Sequence, residues 1–150
     1  MMPQRRDWVA AMRFAGRRRR EDDAPRLSEL VPAVAALRIE VEERDGPAFT
    51  KHVRHLVIHR APALFVLPCG DPHCSGEHDM TSAVMCALRA RETTFSGGGA
   101  CLGSVGSLPC IRVVRFRGTA EYRPTYPRGA ESGRVTGGRD GPRARPMRGV

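Results

Sequence analysis

Lysine is nearly missing from this chain of 150 residues: Lys51 stands alone against 24 arginines. Aromatic residues make up only 5%, with Trp8 the single tryptophan, so little of a core can rest on large rings. No apolar run approaches the ~20 residues needed to cross a bilayer, which excludes a spanning helix. The N-terminal stretch does not read as a secretory signal. The apolar stretch from Trp8 to Ala15 is broken by Arg13 and followed by Arg17, Arg18, Arg19 and Arg20 instead of a cleavage site. Five cysteines, an odd number, do not make a tidy disulfide framework. A reducing, cytoplasmic compartment is therefore expected. A phosphate-binding loop is absent too. Gly98 and Gly103 have the separation of G-x-x-x-x-G-K, but Ser104 stands where the motif needs lysine.

The net charge of +9 is unevenly spread. Residues 1–20 carry seven arginines against one acid, and residues 123–150 carry seven against two. Between them, residues 21–122 hold eleven basic side chains against thirteen acids. The basicity belongs to the two ends. Basic ends bind nucleic acid by neutralising phosphates. Arginine-for-lysine skew of this size also arises from GC-rich coding with no role in binding. Residues 1–26 read as a basic arm whose composition favours disorder. The alternative is a short amphipathic helix, with Trp8, Met12 and Ala15 on one side and Arg13, Arg17 and Arg20 on another. Residues 123–150, rich in Arg, Gly and Pro, read as a disordered tail.

The middle, residues 27–122, reads as one small α+β domain. Leu37, Ile39 and Val41 alternate with Arg38, Glu40 and Glu42, the period of a half-exposed strand. Asp45, Gly46 and Pro47 end it with a turn. A second strand is expected over 52–60 and a third, continuously apolar, over 63–67. Asp79 or Thr81 starts a helix over about 81–91, with Met80, Ala83, Val84, Ala87 and Leu88 on one side. Residues 93–107 are glycine-rich and read as irregular. Residues 111–122 form a last strand, with Val114, Phe116, Ala120 and Tyr122 on one face. An antiparallel sheet of about four strands with one helix packed on it follows.

The chemistry concentrates in residues 69–78, where Cys69, His73, Cys74 and His78 fall within ten positions. Cys101 and Cys110 follow beyond the expected helix. Thiolates and imidazoles at this density suit a soft cation, zinc above all. Cys69 and Cys74 form C-x4-C, and Cys101 and Cys110 form C-x8-C, wider than a standard knuckle. The glycine-rich stretch permits a lasso that would bring the second pair to the first. The expected site is Cys69, Cys74, Cys101 and Cys110, with His78 and then His73 as alternates. Such a site would be structural, stapling a small core. Cys86 lies off the apolar side of the helix and is expected to be a helix-surface or satellite-core cysteine, not a ligand. His52, His55 and His59 read as partly exposed strand histidines.

The resulting expectation is a zinc-stapled module that acts by binding, with nucleic acid or another protein as partner. Arg17, Arg18, Arg19 and Arg20 are the candidate nucleic-acid residues. The competing class is a zinc- or cysteine-dependent hydrolase using Cys74, His78 and Asp79. The zinc deaminase pattern H-x-E followed by P-C-x-x-C does not apply. Met80 stands two residues after His78, and Val113 stands where the second cysteine is required.

Overall fold

The computed structural model describes residues 5–125, with side chains described from residue 11 onward. The element order is α1 (Arg5–Asp23), α2 (Leu27–Leu30), β1 (Val34–Asp45), β2 (Ala48–Leu56), β3 (Val66–Pro68), β4 (Glu77–Asp79), α3 (Thr81–Arg89), β5 (Thr94–Ala100), β6 (Ser104–Val105), β7 (Leu108–Pro109) and β8 (Val113–Tyr122). The result is an α+β fold on a four-stranded antiparallel sheet in the order β2-β1-β8-β5.

The alternating pattern sets the two faces of this sheet. Leu37, Ile39 and Val41 of β1 and Val114, Phe116 and Ala120 of β8 are buried together. On the opposite face, Arg38 pairs with Glu40 and Arg44 with Glu42 along β1. β1 turns into β2 through Gly46, whose φ of 61° places it in the left-handed region that glycine adopts freely. The helix α3 covers the apolar face with Val84, Met85, Ala87 and Leu88. Met85 takes the buried place expected for Ala83, while Cys86 is exposed, the first of its two expected placements. At the helix start, the Asp79 carboxylate accepts the Thr81 N–H at 2.9 Å, and the Thr81 hydroxyl accepts the Phe65 N–H at 2.9 Å.

Four elements differ from the sequence reading. β2 occupies Ala48–Leu56 instead of 52–60, because Val57 to Ala61 closes a hydrogen-bonded turn. β3 does not join the main sheet; it pairs with β4 in a separate two-stranded ribbon. The apolar run before it instead supplies Ala63 and Phe65 to the core. The glycine-rich stretch read as irregular contains β5, an edge strand of the main sheet. The basic arm is helical over Arg5–Asp23, where composition favours disorder. Arg20 of α1 grips Glu77 with two hydrogen bonds of 2.7 Å, and Arg13 donates to the Cys74 carbonyl at 3.4 Å. The expected tail beyond residue 125 lies outside the described residues. Among the described residues, no helix is long and apolar enough to cross a membrane.

Gly118 lies in the interior of β8, where a glycine weakens a strand unless something needs the space. Here the Phe95 ring lies over it and would overlap a methyl group, while Phe95 meets Phe116 edge-on at 6.5 Å. Gly118→Ala is therefore expected to destabilise the domain by about 1–3 kcal/mol through overpacking, read as a lower Tm in thermal unfolding.

Candidate metal centre

Two hairpins deliver the cysteines. β5 and β8 pair from Thr94↔Thr119 to Ala100↔Val113. The same register continues past the sheet. The Cys101 N–H bonds the Arg112 carbonyl at 2.9 Å, and the Cys110 N–H bonds the Gly103 carbonyl at 2.9 Å. β6 and β7 then complete the ladder with Ser104↔Pro109 and Val105↔Leu108, closed at Gly106 with φ 62°. The expected lasso is thus one long hairpin, and Cys101 and Cys110 lie diagonally on its two strands. The second hairpin pairs β3 with β4 and ends where the Cys69 N–H bonds the Gly76 carbonyl at 3.0 Å. Cys74 sits in its loop, and bridges to Val105 of the first hairpin.

The four thiols of Cys69, Cys74, Cys101 and Cys110 all lie within 4.8 Å of one another. Cys69 and Cys110 are 3.7 Å apart at sulfur, as are Cys74 and Cys101. Both pairs join one hairpin to the other. Sulfurs placed about 2.3 Å from a tetrahedral zinc ion lie about 3.8 Å from each other, so the spacing fits a shared ion. It is far from the disulfide length of about 2.05 Å, and all five cysteines are free.

The backbone is shaped for thiolates. The Gly76 N–H points at the Cys74 sulfur at 3.3 Å, and the Gly103 N–H points at the Cys101 sulfur at 3.4 Å. These two Cys-x-Gly turns face each other. A methyl group on Gly76 would come within 2.5 Å of the Cys101 sulfur, and one on Gly103 within 2.5 Å of the Cys74 sulfur. Burial pushes the Cys69 and Cys101 pKa values up. At Cys74, burial acts the same way, but the Gly76 N–H and the neighbouring thiols outweigh it and the pKa falls. Four sulfurs at this distance become thiolates together only when a cation offsets their charge.

A second cluster adjoins the first. Glu43, the last inward-facing residue of β1, is 4% exposed, and His78 of β4 is 3% exposed. The Glu43 carboxylate accepts the Gly70 N–H at 3.1 and 3.0 Å, the Arg112 guanidinium at 2.6 Å and the His78 Nε2–H at 2.9 Å. Burial alone would raise the Glu43 pKa, but hydrogen bonds from Gly70, Arg112 and His78 hold it below the usual carboxylate value. Glu43, Cys69 and His78 also lie within 4.8 Å of one another. A cation is poorly served there, because Arg112 already supplies the positive charge.

His78 is thus engaged with Glu43 and does not belong to the four-thiol cluster. His73 is exposed, and its N–H closes a local turn on the Asp71 carboxylate at 2.8 Å. Among the described residues, Cys74, His78 and Asp79 form no common cluster. Cys74 turns to Cys101, His78 to Glu43 and Asp79 to the start of α3. His52, His55 and His59 are exposed and join neither cluster. Of the candidate arginines, Arg20 is held by Glu77, Arg17 lies 5.4 Å over the Phe14 ring, and Arg18 and Arg19 are exposed. The sequence reading missed Glu43 and Arg112. Glu43 carried a signal: it is in phase with Leu37, Ile39 and Val41, so a charge falls on the buried face.

Comparison of the chain with protein-family models, with curated proteins and with solved structures returned no match.

Because the two Cys-x-Gly turns touch, Gly103→Ala is expected to separate the sulfur pairs. Competition between the variant and a chromogenic chelator for cobalt should show at least a tenfold loss of affinity, the scale on which outer contacts tune metal sites.

Proposed function

We propose that this chain is a small binding module whose fold is stapled by one structural zinc ion held by Cys69, Cys74, Cys101 and Cys110. The observation that carries the reading is the pair of 3.7 Å sulfur separations across two hairpins, close to the edge of a zinc–thiolate tetrahedron. Four soft ligands fill the tetrahedron and leave no position for a substrate, which favours a structural over a catalytic ion. The thiols form a cluster of their own with Val105 beside it, apart from the main core. Apolar burial therefore does little to hold the hairpin tips, and the ion would do that work. On this reading residues 27–122 are the metal-binding domain and the basic ends are appendages. No observation favours the hydrolase reading.

The favoured partner is nucleic acid. α1 lies against the metal-site loop across a groove of about 360 Å³ lined by Arg13, Arg17, Arg20, Ser75, Gly76 and Glu77. Glu77 neutralises Arg20, which leaves Arg17, Arg18 and Arg19 to meet phosphates. A protein partner on the sheet is the competing outcome.

Elemental mass spectrometry on protein purified without an affinity tag should find one zinc per chain. Cys69→Ser and Cys110→Ser should each lose the metal and lower the Tm sharply. A chain with no bound metal at full thiol content would overturn the zinc reading. For the partner, replacing Arg17, Arg18 and Arg19 by alanine should reduce the slope of log affinity against log salt by about 2 to 3, measured with single-stranded or duplex DNA. An unchanged slope would remove α1 from the interface.

A further inference from the structure

A buried carboxylate on the apolar side of a strand is costly unless it is fully partnered. Glu43 has that placement, and its three partners come from the two hairpins that carry the cysteines. Gly70 follows Cys69 directly. His78 faces Leu67 across the ribbon that presents Cys69. Arg112 lies two residues after Cys110, and its carbonyl accepts the Cys101 N–H. Glu43 itself belongs to β1 of the main sheet. One side chain therefore joins the sheet to both cysteine-bearing hairpins, and it does so through hydrogen bonds that involve no metal.

Gly70 gives independent support. Its φ is not in the left-handed region, so the backbone path does not demand glycine there. What demands it is the carboxylate: a methyl group on Gly70 would overlap Glu43 Oε1 and come within 2.8 Å of the Arg112 guanidinium. The turn after Cys69 is fitted to Glu43 at contact distance. The charges fit as well. Four thiolates around a divalent ion carry two net negative charges, and Arg112 stands beside them while Glu43 fixes its direction.

From this geometry we infer that Glu43 is the positioning residue of the metal site: its carboxylate clasps the two hairpins so that the thiols are assembled before the ion arrives. The ion then closes a prepared site instead of folding one. This goes beyond the zinc reading and rests on it only for the identity of what is positioned. The clasp acts on the main-chain turn of Cys69, on the strand partner of Cys101 and on the ribbon behind them. Cys74 alone lies outside its direct reach and is brought in by the loop and the Val105 bridge.

The test uses the full chain, wild type and Glu43→Gln, each stripped of metal with chelator under reducing conditions and titrated with cobalt(II). Glutamine keeps the size and a hydrogen-bonding oxygen but loses the charge that directs Arg112. The expected result is a 10- to 100-fold loss of cobalt affinity, with unchanged thiolate-to-cobalt absorption bands at saturation because the four ligands are the same. Glu43→Asp, which restores the charge on a shorter stem, should recover part of the loss. Affinity within twofold of wild type would overturn the inference, and so would altered bands. Should Glu43→Gln fail to fold, the metal-free wild type decides. Protection of the Gly70 and Cys101 amides from hydrogen exchange supports a clasp that precedes the metal, and free exchange at both sites refutes it. Absence of cobalt binding by the wild type would instead sink the zinc reading, leaving the amide measurement to judge the clasp alone.

Discussion

Two hairpin tips meet at four sulfur atoms, and the rest of the structure is arranged around that meeting. Each tip brings two cysteines, and each close sulfur pair spans the gap between tips. Neither tip can hold the other by apolar burial, since the thiols form a cluster apart from the main core. What remains is polar: backbone N–H groups aimed at sulfur, glycines that let two turns touch, and a charge-assisted network behind them. The sheet and α3 form a conventional small core. The tips depend on local chemistry.

The network around Glu43 shows why an acid can occupy an apolar stripe. β1 points Leu37, Ile39, Val41 and then Glu43 to the same side. At the first three positions the neighbours are aliphatic and aromatic. At the fourth the core has ended and the hairpins begin, so the side chain meets main-chain N–H, guanidinium and imidazole instead. A valine there would leave the buried His78 ring without its acceptor and the half-buried Arg112 with Asp45 alone. The polar residue marks the border between two kinds of interior.

The fold was legible where periodicity was strong. The alternation of 36–44 and of 111–122 announced two strands and their faces, though the second begins only at Val113, and the apolar spacing after Thr81 announced the helix. It was obscure where side chains were small. Three consecutive glycines, Gly97 to Gly99, carry no pattern, yet they form the edge strand because β8 provides a full ladder for them. The short apolar run at 63–67 looked like a sheet strand, since burial alone cannot separate a strand from a packed loop. The four cysteines were readable from residue type and spacing. Their route together was not, because a continuous hairpin and a lasso satisfy the same C-x8-C spacing. Glu43 was hidden for another reason: a lone acid beside Glu42 and Arg44 resembles ordinary surface charge until the strand phase is followed to its end.

The single register that runs from Thr94↔Thr119 out to Val105↔Leu108 has a consequence of its own. Side-chain direction alternates along both strands, so parity decides which side of the hairpin a sulfur faces. An insertion of one residue between Ala100 and Cys101 would turn that thiol to the opposite side, while two residues would restore its facing but move it outward by one repeat. Either change takes the sulfur out of a cluster whose members lie within 4.8 Å of one another, the first by facing and the second by distance, since a two-residue repeat spans roughly 7 Å. The pairing of β5 with β8 thus sets both the facing and the reach of Cys101 and Cys110.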